Sequence, residues 1–121
     1  MEAKPLSKDI LNKIQGIPID LMYRKHESWT WDENMLKHLF LYEILGKPVL
    51  LDPFTKPETF DLISASISSD KRFMNIILKM QKEELIYTAS AIWHEEAKIY
   101  LTFAFHSTYF KDIESYAMDF E

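Results

Sequence analysis

Cysteine is absent from this 121-residue sequence, and glycine occurs only at Gly16 and Gly46. Without cysteine the chain has no disulfide, no thiolate nucleophile and no cysteine-ligated zinc site. Two glycines are too few for the glycine-rich loops that hold phosphate groups in nucleotide-binding proteins. Because disulfides are rare in reducing compartments, this composition favours a cytoplasmic location.

Long hydrophobic runs are absent too. Nowhere does the sequence contain the roughly 18 consecutive apolar residues that a membrane-spanning helix needs. Residues 1–10, MEAKPLSKDI, lack the apolar core of a signal peptide. Hydrophobic residues make up 47% and charged residues 27%, which is typical of a globular chain rather than a disordered one. We therefore expect a single domain, residues 1–121, with no membrane partner.

Negative charge is concentrated in the last third of the chain. Residues 1–82 contain 12 Lys or Arg and 11 Asp or Glu, whereas residues 83–121 contain 2 and 8, a net charge of −6. Such a field repels nucleic-acid phosphates and attracts cationic surfaces. The sequence therefore predicts a basic protein as partner and no nucleic acid, although an acidic surface also serves solubility alone.

Helix signals are found in five segments. Ser7 can cap a short helix over residues 7–14. Thr30 and Glu33 have the spacing of a capping box, in which each side chain satisfies a backbone N–H of the first turn, and Gly46 would end that second helix. The other three predicted helices begin at Thr55, cover residues 71–82, and lie within residues 107–121.

The stretch EELIYTASAIWHEEAKIYLTFAFH has the alternation and the Thr, Ile, Tyr and Phe content of strands. We expect a β-hairpin with strands of about residues 85–94 and 98–106, joined by a loop of residues 95–97. Burial of the large apolar side chains on one face favours the register that pairs Trp93 with Ile99.

In this register Phe103 would face the core, whereas Tyr100 and Thr102 would lie on the outer face. Residues 17–24 and 49–52 are ambiguous, and either could add a third strand, since a two-stranded hairpin is marginal alone. Runs of helices followed by strands predict an α+β fold. N-terminal helices would pack on a small antiparallel sheet containing the C-terminal hairpin, and a C-terminal helix would close the fold.

Candidate catalytic and metal-binding side chains are few. His94 and Glu95 are adjacent, but the expected hairpin places His106 at its opposite end, so we expect no metal site and no cofactor. Glu43 is the one charged residue in the apolar arc of the second predicted helix. Burial there would raise its pKa and suit it to acid–base catalysis with a histidine. In the last helical turn, however, its carboxylate can also reach solvent.

A basic stripe is the remaining candidate for chemistry. The residues that share one face of the helix predicted over residues 71–82 are Arg72, Asn75, Lys79 and Lys82. Such a stripe can bind phosphate groups, but no aromatic residues cluster beside it and the chain is acidic overall. A solvated helix face is the stronger interpretation.

The functional hypothesis rests on the acidic last third and on the lack of a catalytic motif. We expect a protein-binding module and not an enzyme, most specifically an inhibitor or immunity protein that occludes the active site of a basic toxin nuclease domain. One alternative is a small enzyme or ligand-binding domain that uses Glu43 and a histidine. Another is a homodimer joined through the outer face or an edge of the hairpin. The expected partner-binding residues are Glu95, Glu96, Tyr100, Asp112 and Glu114.

Overall fold

The computed structural model describes residues 3–21, 27–51, 60–81 and 85–109, and in them the chain is mostly β-structure. One curled sheet forms a half-barrel. Its strands are β1 (Ala3–Pro5), β2 (Pro18–Leu21), β3 (Glu27–Thr30), β4 (Phe40–Ile44), β5 (Lys47–Leu50), β6 (Phe60–Ile67), β7 (Phe73–Met80), β8 (Leu85–His94) and β9 (Ile99–Tyr109). The helices within these ranges are α1 (Lys8–Ile14) and α2 (Glu33–Leu36), and neither is long and apolar enough to cross a membrane.

The expected α+β fold is therefore wrong, and the largest error lies in residues 30–46. These residues contain the single turn of α2 and then β4. Leu45 and Gly46, with φ angles of 54° and 73°, then reverse the chain into β5. Positive φ at both central residues is the geometry of a tight hairpin turn. Gly46 is thus a hairpin residue and does not end a helix.

The later helix predictions are also wrong where the structure describes them. The segment 71–82 contains β7. The helix predicted from Thr55 would bury Phe60, Ile63 and Ile67 on one face, but these three residues belong to β6, and Thr55 lies outside the described residues. Of the predicted closing helix, residues 107–109 belong to β9 and the rest lies outside the described residues. The short helix predicted over residues 7–14 is present as α1, with the Ile10 N–H donating to the Ser7 hydroxyl oxygen at 3.2 Å.

The sheet has the strand order β1-β4-β5-β9-β8-β7-β6, and β2 pairs with both β3 and β9. Strands β6 to β9 form an antiparallel meander. β9 shares its other edge between two parallel neighbours: its first half pairs with β5 and its second half with β2. β9 therefore joins the N-terminal strands to the meander.

Two clusters of buried side chains lie on opposite faces of the sheet. Tyr42 of β4 and Phe60 of β6 belong to the first cluster, and their rings meet edge to face at 5.5 Å although their strands lie far apart in the sheet order. This contact shows that the sheet curls around the first cluster. The second cluster covers the other face of β4, β5 and β9 with Leu11, Ile14, Ile19, Trp31 and Leu36 from α1, β2 and the region of α2.

The hairpin lies where the alternation predicts it, but its register differs by one residue. Trp93 pairs with Tyr100 rather than with Ile99, which turns Tyr100 towards the first core cluster. A bulge follows, so that Thr102 is 0% exposed while Phe103 is 37% exposed. The predicted faces of Tyr100, Thr102 and Phe103 are therefore wrong.

The hairpin turn accounts for this shift. It contains four residues, 95–98, instead of the expected three, and Lys98 at its end has the left-handed conformation, with a φ of 57°. Ala97 is buried in the second core cluster. The longer turn allows both Ile99 and Tyr100 to be buried, one on each face of the sheet.

Candidate ligand-binding cleft

Three turns meet at one end of the sheet, because β4, β6 and β8 run towards it and β5, β7 and β9 start from it. Each turn contains a non-glycine residue with positive φ: Leu45 at 54°, Lys71 at 64° and Lys98 at 57°. This conformation costs an ordinary residue about 1–2 kcal/mol. All three residues lie in turns between neighbouring strands, where positive φ is ordinary geometry, so the candidate site rests on the side chains that these turns bring together.

The β6–β7 turn, residues 68–72, is organised by a carboxylate. Oδ1 of Asp70 accepts hydrogen bonds from the Ser68 hydroxyl at 2.6 Å and from the Arg72 backbone N–H at 3.0 Å. The Ser68 hydroxyl, followed by the Arg72 N–H and guanidinium, holds the pKa of Asp70 below its ordinary value of 3.8. The carboxylate of Asp70 is thus engaged inside the turn.

Two hydrogen bonds tie this turn to the neighbouring hairpin. The Tyr100 hydroxyl donates to the Lys71 carbonyl at 2.7 Å, and the Trp93 backbone N–H donates to the Arg72 carbonyl at 2.7 Å. Both acceptors belong to residues with exposed cationic side chains. The two bonds therefore fix the backbone of Lys71 and Arg72 relative to the aromatic rings of Trp93 and Tyr100.

The turn and the hairpin border a cavity of about 280 Å³, which we call the end cleft. Its lining residues are Lys47, Asp70, Lys71, Arg72, Trp93 and Tyr100. The lining carries a net charge of +2, although the formal net charge of the chain is −5. Within the part of the chain that the structure describes, neither Lys47 nor Lys71 has an ion-pair partner. The end cleft is therefore a local positive site on an acidic protein.

Trp93 is the half-buried aromatic wall of the end cleft. Its Nε1–H donates to the Glu95 carboxylate at 2.6 Å, and the same carboxylate accepts a hydrogen bond from the Lys98 ammonium. The Lys98 contact, followed by that of Trp93, holds the pKa of Glu95 below its ordinary value of 4.5. The Trp93 ring meets the Tyr100 ring at 5.0 Å and 63°, so its orientation is set on two sides.

The strand order places the aromatic residues between the cations. Lys47 begins β5, and Lys71 and Arg72 directly precede β7. Tyr100 on β9 and Trp93 on β8 occupy the two strands between them. A ligand lying over the Trp93 ring would therefore have a positive charge on either side.

Three of the expected partner-binding residues, Glu95, Glu96 and Tyr100, lie in the described structure, at the β8–β9 hairpin. Glu96 is exposed at the hairpin turn. Glu95 is engaged by Lys98 and Trp93, and Tyr100 is only 2% exposed, so its ring is not a free surface anchor. Asp112 and Glu114 lie outside the described residues.

Glu43 and the histidines do not form a common site in the described structure. Glu43 is exposed on β4, at a second cavity of about 210 Å³ that it shares with Lys4 and Pro48 and that no described histidine lines. His94 uses its Nδ1 to accept the Ala97 N–H at 3.2 Å. Among the described residues, no group of three potential ligands could hold a metal ion.

Lys47, Lys71 and Trp93 are not among the site residues predicted from the sequence, and Arg72 lies in a turn instead of on a helix. The basic stripe of Arg72 with Lys79 does not exist, because Arg72 belongs to the turn whereas Lys79 lies near the far end of β7. The available signal was Asp70 after a run of serines, a common turn sequence, followed by two cations. That signal identifies a charged turn but not the rings beside it.

No protein-family model matches the chain, and comparisons with curated proteins and with solved structures gave no significant match. The expectation of an inhibitor or immunity protein has no support from related proteins and stays an untested prediction, whereas the α+β fold expected with it is wrong.

Proposed function

We propose that this protein is a small, non-catalytic binding domain whose site is the end cleft and whose ligand presents a negatively charged group. The observation that carries the proposal is the net charge of +2 around a cavity in an acidic chain. Clefts lined by charge of one sign concentrate ligands of the opposite sign. The lack of cysteine supports a cytoplasmic location for this activity.

The two lysines are the main anion-binding groups in this proposal. Lys47 and Lys71 are exposed and have no ion-pair partner among the described residues, so their ammonium groups can accept a ligand without breaking an existing contact. Arg72 contributes less, because its guanidinium lies 5.4 Å from the centre of the Phe73 ring and interacts with that ring.

The test is a titration of isotope-labelled protein with pyrophosphate, followed by NMR shifts of residues 68–72 and of the Trp93 indole. An exposed charge pair at 4 Å in water contributes about 1 kcal/mol, so Lys47→Gln and Lys71→Gln should each weaken binding about fivefold. Lys8→Gln is the matched control, since it removes the same charge from exposed α1, away from the end cleft. Equal weakening in all three variants would show general charge attraction and would contradict the proposal.

A basic protein partner is the second candidate, and the exposure of Glu96 at the hairpin turn favours it. Residues 83–121 carry a net charge of −6, which would accelerate association with a cationic surface. Association rates with a basic protein, measured at rising ionic strength, should depend less on salt in Glu96→Lys than in Glu43→Lys, which reverses a charge on exposed β4. Identical salt dependence in both variants would exclude the hairpin turn as the contact.

A further inference from the structure

We infer that the ligand of the end cleft is a small aromatic anion, that is, a planar ring bearing a phosphate or carboxylate group. This inference rests on the proposed function and adds the ring to it. It comes from three features of the end cleft: its size, its rigid aromatic wall, and the position of the lysines beside that wall.

The size limits the ligand to a small molecule. A cavity of about 280 Å³ lies just under the usual range of small-ligand pockets, roughly 300–1,000 Å³. The end cleft therefore has space for one ring with one charged group, and little more.

The wall is suited to a ring because it is held in place before binding. The indole of Trp93 is fixed by its hydrogen bond to Glu95 and by edge-to-face contact with Tyr100. The hydroxyl of Tyr100 is itself fixed on the Lys71 carbonyl. Rings that are already ordered lose little conformational entropy when a ligand packs on them.

Lys47 and Lys71 lie where they can bind the charged substituent of a ring that packs on Trp93. Trp93 and Tyr100 lie on the strands between Lys47 and the β6–β7 turn that bears Lys71, so a ring packed on Trp93 has an ammonium group on either side for its charged substituent. An inorganic anion would contact the lysines but leave the half-buried indole surface without a partner. An uncharged ring would pack on the indole but would leave both ammonium groups without a charged partner.

The experiment compares phenyl phosphate, inorganic phosphate and phenol by the same NMR titration. Aromatic pairing of ligand and wall should make phenyl phosphate bind about fivefold more tightly than inorganic phosphate. Trp93→Leu should abolish this ratio while leaving the affinity for inorganic phosphate unchanged. Trp93→Phe keeps a ring but lacks the N–H that binds Glu95, and it should retain most of the ratio. Phe40→Leu, which removes an exposed aromatic ring outside the end cleft, is the control and should leave both affinities and their ratio unchanged.

The outcomes separate the two claims. Equal affinity of phenyl phosphate and inorganic phosphate for the wild-type protein, or an unchanged ratio in Trp93→Leu, would overturn the aromatic inference while anion binding stands. Phenol binding as tightly as phenyl phosphate, or no binding of either phosphate, would overturn the proposed function and the inference with it. Circular dichroism of each variant establishes that it is folded before its affinity is compared.

Discussion

Replacing Lys71 by glycine should separate the stability of the β6–β7 turn from its function. Lys71 has a φ of 64°, and release of the left-handed strain should return about 1–2 kcal/mol of folding free energy. The greater conformational entropy of glycine in the unfolded chain lowers the free energy of unfolding by about 0.5–1 kcal/mol, which opposes this gain. The net expectation is an unfolding free energy unchanged or raised by about 1 kcal/mol, together with anion affinity reduced about fivefold by the lost charge.

A rise of 1 kcal/mol corresponds to about 4 °C in the thermal midpoint for a chain of this length. Thermal unfolding by circular dichroism and pyrophosphate titration of the same samples measure the two effects. Leu45→Gly is the matched control, because Leu45 also has a positive φ, at 54°, but carries no charge and does not line the end cleft. If Leu45→Gly weakens anion binding as much as Lys71→Gly does, or if Lys71→Gly leaves binding intact, the assignment of Lys71 to the site is wrong.

Two further predictions test the hairpin register and the charged turns. Thr102→Asp should lower the free energy of unfolding by about 3–5 kcal/mol, because it places a charge at a fully buried residue whose hydroxyl donates to the Leu50 carbonyl at 2.8 Å. Phe103→Asp, at a residue 37% exposed, should lower it by only about 1 kcal/mol. Urea unfolding measures both effects. A larger effect at Phe103 would contradict the observed register. The lowered pKa values of Asp70 and Glu95 contribute stability that is present above their ordinary values of 3.8 and 4.5 and is lost as the pH falls through the lowered values. Unfolding curves recorded below pH 4.5 should therefore be less pH-dependent in Asp70→Asn/Glu95→Gln than in the wild type, and parallel curves would show that these contacts do not stabilise the fold.

The sequence predicts the β8–β9 hairpin well because its evidence is local. Thr, Ile, Tyr and Phe alternate there over two long strands, and β-branched and aromatic residues suit a pleated surface. The register was harder to predict because β9 is buried on both faces at Ile99 and Tyr100. A strand covered on both sides loses the contrast between apolar and polar faces on which register arguments depend.

The failure in β7 has a related cause. Phe73, Ile76, Ile77 and Met80 satisfy helical spacing, yet Met74, Ile76 and Leu78 also alternate, and the alternating set is the one that is buried in the first core cluster. Short apolar segments fit both periods, and long-range pairing with β6 and β8 decides between them. The end cleft escaped prediction for the same reason, since Lys47, Lys71 and Trp93 meet only through the order of strands in the sheet.

The position of β9 has a consequence for the order in which the protein folds. Thr102 donates to the carbonyl of Leu50, 52 residues earlier in the chain, and the neighbouring residues pair with β5 and β2. Contacts at such a separation require closure of a large loop before they return any free energy, which slows folding. During synthesis β2 and β5 emerge well before β9, so the edges of these two strands that pair with β9 are still unpaired. The N-terminal strands are therefore most exposed to mispairing in the interval before residues 99–109 leave the ribosome.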